Sequence, residues 1–304
     1  MKISVIGLGS MGKNHARIYK ELVGDSLVGV SDLNTSLGNQ IGEQLGVNYY
    51  SDYHKMLVEE KPDVVSICTP TSTHFEIAKR CLEQNTHLLI EKPITNNVDK
   101  ANELNEIATK KGLIINVGYV ERFNPGVSAI RKCVQDKKII SINITRVGPF
   151  PPRVSDVGII IDLGVHDIDL ISYITGSSFE RVFAVKSKEK TKRENAAVLS
   201  FKMVDGTIAS VVTNWFTPFK VRKIEVALKD SLIVGDLITQ EVSEFYGYEN
   251  SEYTTRSIHV DKQEPLKLEL GCFLESVKQQ KNLGVSAKEA IQSLAIALDL
   301  TNSD

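Results

Sequence analysis

Up to residue 120, short runs that are apolar at nearly every position alternate with stretches whose apolar residues return every three or four positions. The continuous runs fall at 3–8, 27–31, 64–69, 87–90 and 113–117. A strand with no polar face must be covered on both sides, the usual condition of a parallel sheet. The periodic stretches, at 11–22, 36–45, 53–60, 73–84 and 98–111, predict amphipathic helices that supply the cover. The pattern predicts an α/β domain with a doubly wound parallel sheet, about 120 residues long.

Past Glu121 the pattern changes. A helix over 125–134 leads to a strand over 139–147, a proline-rich loop over 148–152 and a helix ending at Gly176. Strands are predicted at 182–188, 196–202, 207–215, 223–227, 232–234, 241–245 and 254–260. Ile208, Ser210 and Val212 alternate with Ala209 and Val211, which suits an antiparallel sheet with two unlike faces. Helices over 267–278 and 287–298 close the chain. Two domains are expected: 1–120, and an α+β domain at 121–304 with a mainly antiparallel open sheet. Its outer face, assigned Val211 or its alternates, Trp215 and Val226, has no obvious helices over it. A partner subunit is the expected cover, making a homodimer or homotetramer.

Composition narrows the class. With 36 basic and 38 acidic residues the net charge is −2, so nothing favours nucleic acid or a membrane surface. No apolar run approaches the roughly eighteen residues of a membrane span. Cys68, Cys81, Cys133 and Cys272 are far apart and lie in no metal-binding spacing. No metal is expected, and a reducing, cytoplasmic setting is.

The chemistry-bearing residues cluster where the predicted strands end. Gly7, Gly9 and Gly12 form G-x-G-x-x-G directly after the first strand, with Ser10 and Met11 opening the next helix. Gly7 permits the tight turn, Gly9 the approach of a pyrophosphate, and Gly12 the close packing of helix on strand. Asp32 closes the second strand, where a carboxylate accepts the ribose hydroxyls of a dinucleotide. Its charge repels a 2′-phosphate, and no arginine follows within 33–36 to compensate, so NAD is the expected cofactor of a Rossmann domain. Thr69, Pro70, Thr71 and His74 follow the 64–69 strand, and Glu91, Lys92 and Pro93 follow the 87–90 strand. Ligands of open α/β sheets bind at these carboxyl ends, so both segments are candidate cofactor contacts.

Farther along, Asp162, His166 and Asp169 are spaced i, i+4, i+7, on one stripe of a helix. Leu163, Leu170 and Ile174 make a second, apolar stripe. Removing hydride from an alcohol carbon requires a base for the hydroxyl proton. A histidine starts near a suitable pKa, and a lysine beside a cationic nicotinamide loses proton affinity. Spacing alone leaves His166 and Lys92 both open as that base.

Three motifs, the glycine turn at Gly7–Gly12, E-K-P at Glu91–Pro93 and D-x-x-x-H-x-x-D at Asp162–Asp169, resemble the glucose–fructose oxidoreductase/inositol dehydrogenase/MocA family. The resemblance covers essentially the whole chain. It implies an NAD-dependent dehydrogenase in which Lys92 and His166 contact the reacting hydroxyl, Asp162 supports them, and the Lys92–Pro93 bond is cis. His166 is favoured as proton acceptor, with Lys92 as its electrostatic partner. Gly118–Pro125, with Tyr119, Arg122 and Asn124, and the segment holding Arg146 and Arg153 resemble the branch that oxidises UDP-N-acetylglucosamine at its 3-hydroxyl. The substrate expected is therefore a nucleotide sugar whose diphosphate meets these arginines. The competing reading has the arginines paired with loop carboxylates. Two other functions compete: oxidation of a free polyol or sugar such as myo-inositol, and a non-catalytic NAD-binding regulator.

Overall fold

The computed structural model describes residues 1–151, 157–189, 192–247 and 252–303. The chain divides into two compact units, Met1–Tyr119 with Leu266–Gln292, and Val120–Pro265 with Ser293–Asp304.

The first unit runs β1 (Ile3–Ile6), α1 (Gly12–Val23), β2 (Leu27–Ser31), α2 (Thr35–Leu45), β3 (Asn48–Tyr50) and α3 (Tyr53–Glu60). It continues with β4 (Val64–Ile67), α4 (Thr71–Glu83), β5 (His87–Glu91), α5 (Val98–Lys111) and β6 (Ile115–Gly118). The six strands are all parallel, in the order β3-β2-β1-β4-β5-β6. The order reverses between β1 and β4, the switch point at which such sheets open a crevice. β1, β4 and β6 are buried at every residue, as their continuous apolar runs require. β3 is absent from the sequence expectation because it is a short, polar, partly exposed edge strand.

The expected 121–304 domain is not one compact unit, because residues 266–292 pack with the first. The reason lies at the sheet edge. Val117 of β6 donates its N–H to Val285 O at 2.9 Å, and Asn116 Nδ2 donates to Asn282 Oδ1 at 2.8 Å. A long-range tie across an edge strand leaves no mark on local hydrophobic pattern.

The second unit opens with a 3-10 turn (Val120–Phe123), then α6 (Pro125–Val134), β7 (Ile139–Pro149), a π turn (Ile160–Gly164) and α7 (Val165–Thr175). Seven strands follow: β8 (Phe179–Ser187), β9 (Ala196–Met203), β10 (Ile208–Asn214), β11 (Phe216–Leu228), β12 (Ser231–Asp236), β13 (Glu241–Tyr246) and β14 (Thr254–Ile258). Helices α8 (Pro265–Gln279) and α9 (Ala287–Asn302) end the chain. The eight-stranded sheet is ordered β14-β13-β12-β11-β7-β10-β9-β8. Only its β7–β10 pair is parallel.

The assignment of sheet faces needs correction. Val211, Trp215 and Val226 are buried, so they belong to the core face. The alternates carry the open face: Val185, Val198 and Val212 are direct cross-strand neighbours and are exposed, as are Phe183 and Ile208.

Candidate active site

Two positions of the glycine turn, Gly7 and Gly12, admit only glycine. Gly7 has φ +87°, and a Cβ there would lie 2.8 Å from the Cys68 carbonyl. A Cβ on Gly12 would fall 1.7 Å from Gly7 O, so α1 can start only by pressing on the turn. Gly9 has open space on its Cβ side, which leaves backbone amides accessible at the positive end of α1. Asp32 is oriented by two amides: Leu8 N–H donates to Oδ2 at 2.6 Å and Asn34 N–H to Oδ1 at 2.8 Å. Carboxylate and amide cradle together fit a dinucleotide's ribose and pyrophosphate.

Beyond β5 the Lys92–Pro93 peptide is cis, as the resemblance implies. Glu91 stands beneath it, with Oε1 3.0 Å from His15 Nε2 and Oε2 accepting the Lys92 N–H at 3.3 Å. Gly118 makes room for that carboxylate: a Cβ there would sit 3.0 Å from it. His74 is 1% exposed, with Nδ1 2.9 Å from Pro93 O and Nε2 2.8 Å from Thr69 O. It staples the loops after β4 and β5 together, and both ring nitrogens face backbone. Burial pushes its pKa below the ordinary histidine value, against the pull of the two carbonyls. Thr73 Oγ1 ties the same corner, 2.8 Å from both Thr69 Oγ1 and Pro70 O, while Thr71 begins α4.

In the second unit the π turn carries Asp162 and the first turn of α7 carries His166, both largely buried. Two arginines grip the same helix. Arg122 places Nε 2.6 Å and Nη2 2.7 Å from the two oxygens of Asp169. Arg146 of β7 places Nε 2.7 and 3.0 Å from the oxygens of Asp167, and its Nη1 donates to Glu121 Oε1 at 2.8 Å. Arg222 of β11 donates to that same Glu121 oxygen at 2.8 Å. Burial pushes Asp167 up to about 6 despite Arg146. For Glu121, burial works upward as well, but Arg146 and Arg222 outweigh it and hold the carboxyl below its usual range.

Comparison with known proteins places this geometry. Residues 1–119 match the oxidoreductase family with an NAD-binding Rossmann fold, and residues 138–233 match the GFO/IDH/MocA C-terminal domain. The chain belongs to the Gfo/Idh/MocA family. It is therefore an NAD-binding oxidoreductase, and its named relatives are dehydrogenases acting on CH–OH groups. A UDP-N-acetylglucosamine 3-dehydrogenase of Acidithiobacillus ferrooxidans is 26% identical over 99% of this chain and 96% of its own. A solved structure of that enzyme matches with a TM-score of 0.92, over 99% of this chain and 96% of the other. The scyllo-inositol 2-dehydrogenase of Bacillus subtilis is 26% identical over 100% of this chain and 94% of its own. The myo-inositol 2-dehydrogenase of Thermotoga maritima is 32% identical, over 60% of this chain and 58% of the relative.

Within this family member, several expected substrate contacts change role. Arg146 is 1% exposed and sealed among carboxylates, so its assignment to a diphosphate is set aside. Asn124 is buried too: its Oδ1 caps α6 through Gly126 N–H at 2.9 Å, and its Nδ2 donates to Leu237 O at 2.9 Å. Tyr119 is buried as well. Arg122 is held by Asp169, while Arg153 lies outside the described residues. Sequence reasoning missed His15, Glu121, Asp167 and Arg222. For Asp167 a signal existed: it falls on the apolar stripe of Leu163, Leu170 and Ile174, where a charge demands a buried partner.

Proposed function

We propose that this oxidoreductase oxidises the 3-hydroxyl of UDP-N-acetylglucosamine to a ketone, with NAD as hydride acceptor. The observation that carries the reading is full-length similarity to a UDP-N-acetylglucosamine 3-dehydrogenase. Intact Lys92, Asp162 and His166 favour turnover over a purely regulatory role. The reacting carbon gives up a hydride and its oxygen a proton, leaving C=O. His166 accepts that proton, Asp162 orients the imidazole, and Lys92 donates a hydrogen bond to the oxygen as the carbonyl forms. Asp32 would hold the adenosine ribose hydroxyls, and the Gly7–Gly12 amides would hold the pyrophosphate.

The second reading, a free inositol or sugar, gains weight from the inositol dehydrogenases and from the loss of Arg146 as a phosphate contact. Absorbance of reduced nicotinamide, followed with UDP-N-acetylglucosamine, free N-acetylglucosamine and myo-inositol, separates the two. The nucleotide sugar should be turned over with the highest kcat/KM and the free amino sugar hardly at all. A polyol oxidised more efficiently than the nucleotide sugar replaces this reading with the second.

We also infer that a second copy of this chain covers the open sheet face around Val185, Val198 and Val212. Light scattering should give at least a dimer, and Val198→Asp should lower the mass. A wild-type monomer at micromolar concentration sinks the inference.

A further inference from the structure

The charges around α7 are too deeply placed to be incidental. Arg146 and Arg222 are direct cross-strand neighbours on β7 and β11, an arrangement of like charges that ordinarily destabilises a sheet. Glu121 relieves it by accepting from both guanidiniums through one oxygen, and Asp167 balances the remaining charge. The cluster holds two cations and two anions. Replacing such a buried group by apolar side chains is often neutral for stability, so stability alone does not account for it.

What the cluster touches suggests its use. Successive α-helical residues turn by about 100°. Asp167 therefore lies about 100° to one side of His166, and Asp169 about 60° to the other. Arg146 holds the first carboxylate and Arg122 the second, so the two anchors bracket His166 around the helix. The anchors come from different segments, β7 and the 120–123 turn, so neither rotation of α7 nor sliding along its axis leaves both pairs intact. The π turn just before α7 adds a reason for an external anchor, since an i→i+5 turn holds a helix end less regularly than α-helical bonds.

We propose that Arg146 and Asp167, balanced by Glu121 and Arg222, are positioning residues that fix the azimuth of the His166 imidazole for proton transfer. The proposal rests on His166 as the proton acceptor of the reading above. None of the four acts on the substrate. Asp167 works through the helix it shares with His166, and Arg146 through Asp167.

The test pairs two substitutions that keep the interior neutral. Arg146→Met with Asp167→Leu removes one cation and one anion, leaving Glu121 and Arg222 as a matched pair at 2.8 Å. The double variant should melt cooperatively and bind NAD within about twofold of wild type. Its kcat should fall ~10–100-fold, the scale of a misplaced catalytic group, with a smaller change in KM for the sugar. Arg146→Lys, which keeps the charge without the fork, should lie between. The imidazole resonances of His166, assigned through His166→Gln, should shift and broaden in the double variant with no substrate present. A folded double variant that keeps kcat within about threefold of wild type overturns the proposal, and so do unmoved His166 resonances. Wild-type protein that fails to reduce NAD with any tested sugar defeats the functional reading instead, and the resonance comparison still decides the positioning role.

Discussion

Asp32 and His74 of the first unit are anchored on the backbone, whereas helix α7 of the second is anchored through pairs of charged side chains. Asp32 is set by two amides and His74 by two carbonyls. α7 is set by Asp167 on Arg146 and Asp169 on Arg122. Backbone anchors follow from strand ends and turn chemistry, so they come with the fold. Side-chain anchors depend on matched charges from distant segments. The comparison predicts that single substitutions are tolerated unequally by the two units, and it can be broken in order of effect.

The largest expected effect is at the reacting groups themselves. Lys92→Ala and His166→Ala should each lose ~10²–10⁴-fold in kcat, the usual cost of removing a positioned acid–base or hydrogen-bonding group. NAD binding, measured by titration calorimetry, should be little changed. Near-normal turnover of either variant at saturating substrate would show that its assigned role is wrong.

Arg122 sharpens the comparison, because one arginine could anchor α7 and also face a diphosphate. If it contributes a charge-assisted bond to phosphate, Arg122→Met should raise KM for UDP-N-acetylglucosamine ~10–150-fold. We expect that rise. A loss confined to kcat and thermal stability, with KM unmoved, would make Arg122 an anchor of Asp169 alone. Phosphate recognition would then fall to other residues.

Asp32 tests the backbone-anchored half. Its carboxylate should repel a 2′-phosphate, so NAD should bind more tightly than NADP in titration calorimetry. Asp32→Ser should lose about tenfold in NAD affinity and narrow the gap. Equal binding of the two cofactors by wild type contradicts the assignment.

The same contrast explains what could be read from the chain. The glycine turn, Asp32 and the E-K-P segment were legible because each follows an apolar strand and is set by local backbone geometry. The strands of the second unit were legible from alternation, apart from which face is which. Val211 and Val212 are both apolar, so pattern could not orient β10. The role of Arg146 was not legible, because it depends on partners 21 and 25 residues away, one of which is shared with an arginine a further hundred residues on. An arginine near a proline-rich loop looks alike in sequence whether it meets a phosphate or a buried carboxylate. Asp167 is the exception that could have decided it, since a charge on a core stripe requires a buried partner.

The smallest effect expected is a pH slope from His74. Its folded pKa lies below the ordinary histidine value of about 6.5, with burial as the main cause. As pH falls through about 6.5 the unfolded chain takes up its proton first, so protonation favours unfolding. The stability contributed by neutral His74 is therefore fully present above about 6.5 and is lost as pH falls toward the folded value. His87, also lowered by burial, adds a slope of the same sign, so wild type alone does not isolate His74. The difference between wild type and His74→Gln does. The variant should melt lower at pH 8, where it lacks the staple between Thr69 O and Pro93 O, and the two melting temperatures should converge toward pH 5. Parallel curves across that range would mean that His74 does not titrate as its burial requires. Curves that instead draw apart as pH falls, with wild type gaining, would mean that the two carbonyls hold the imidazole charged in the folded protein.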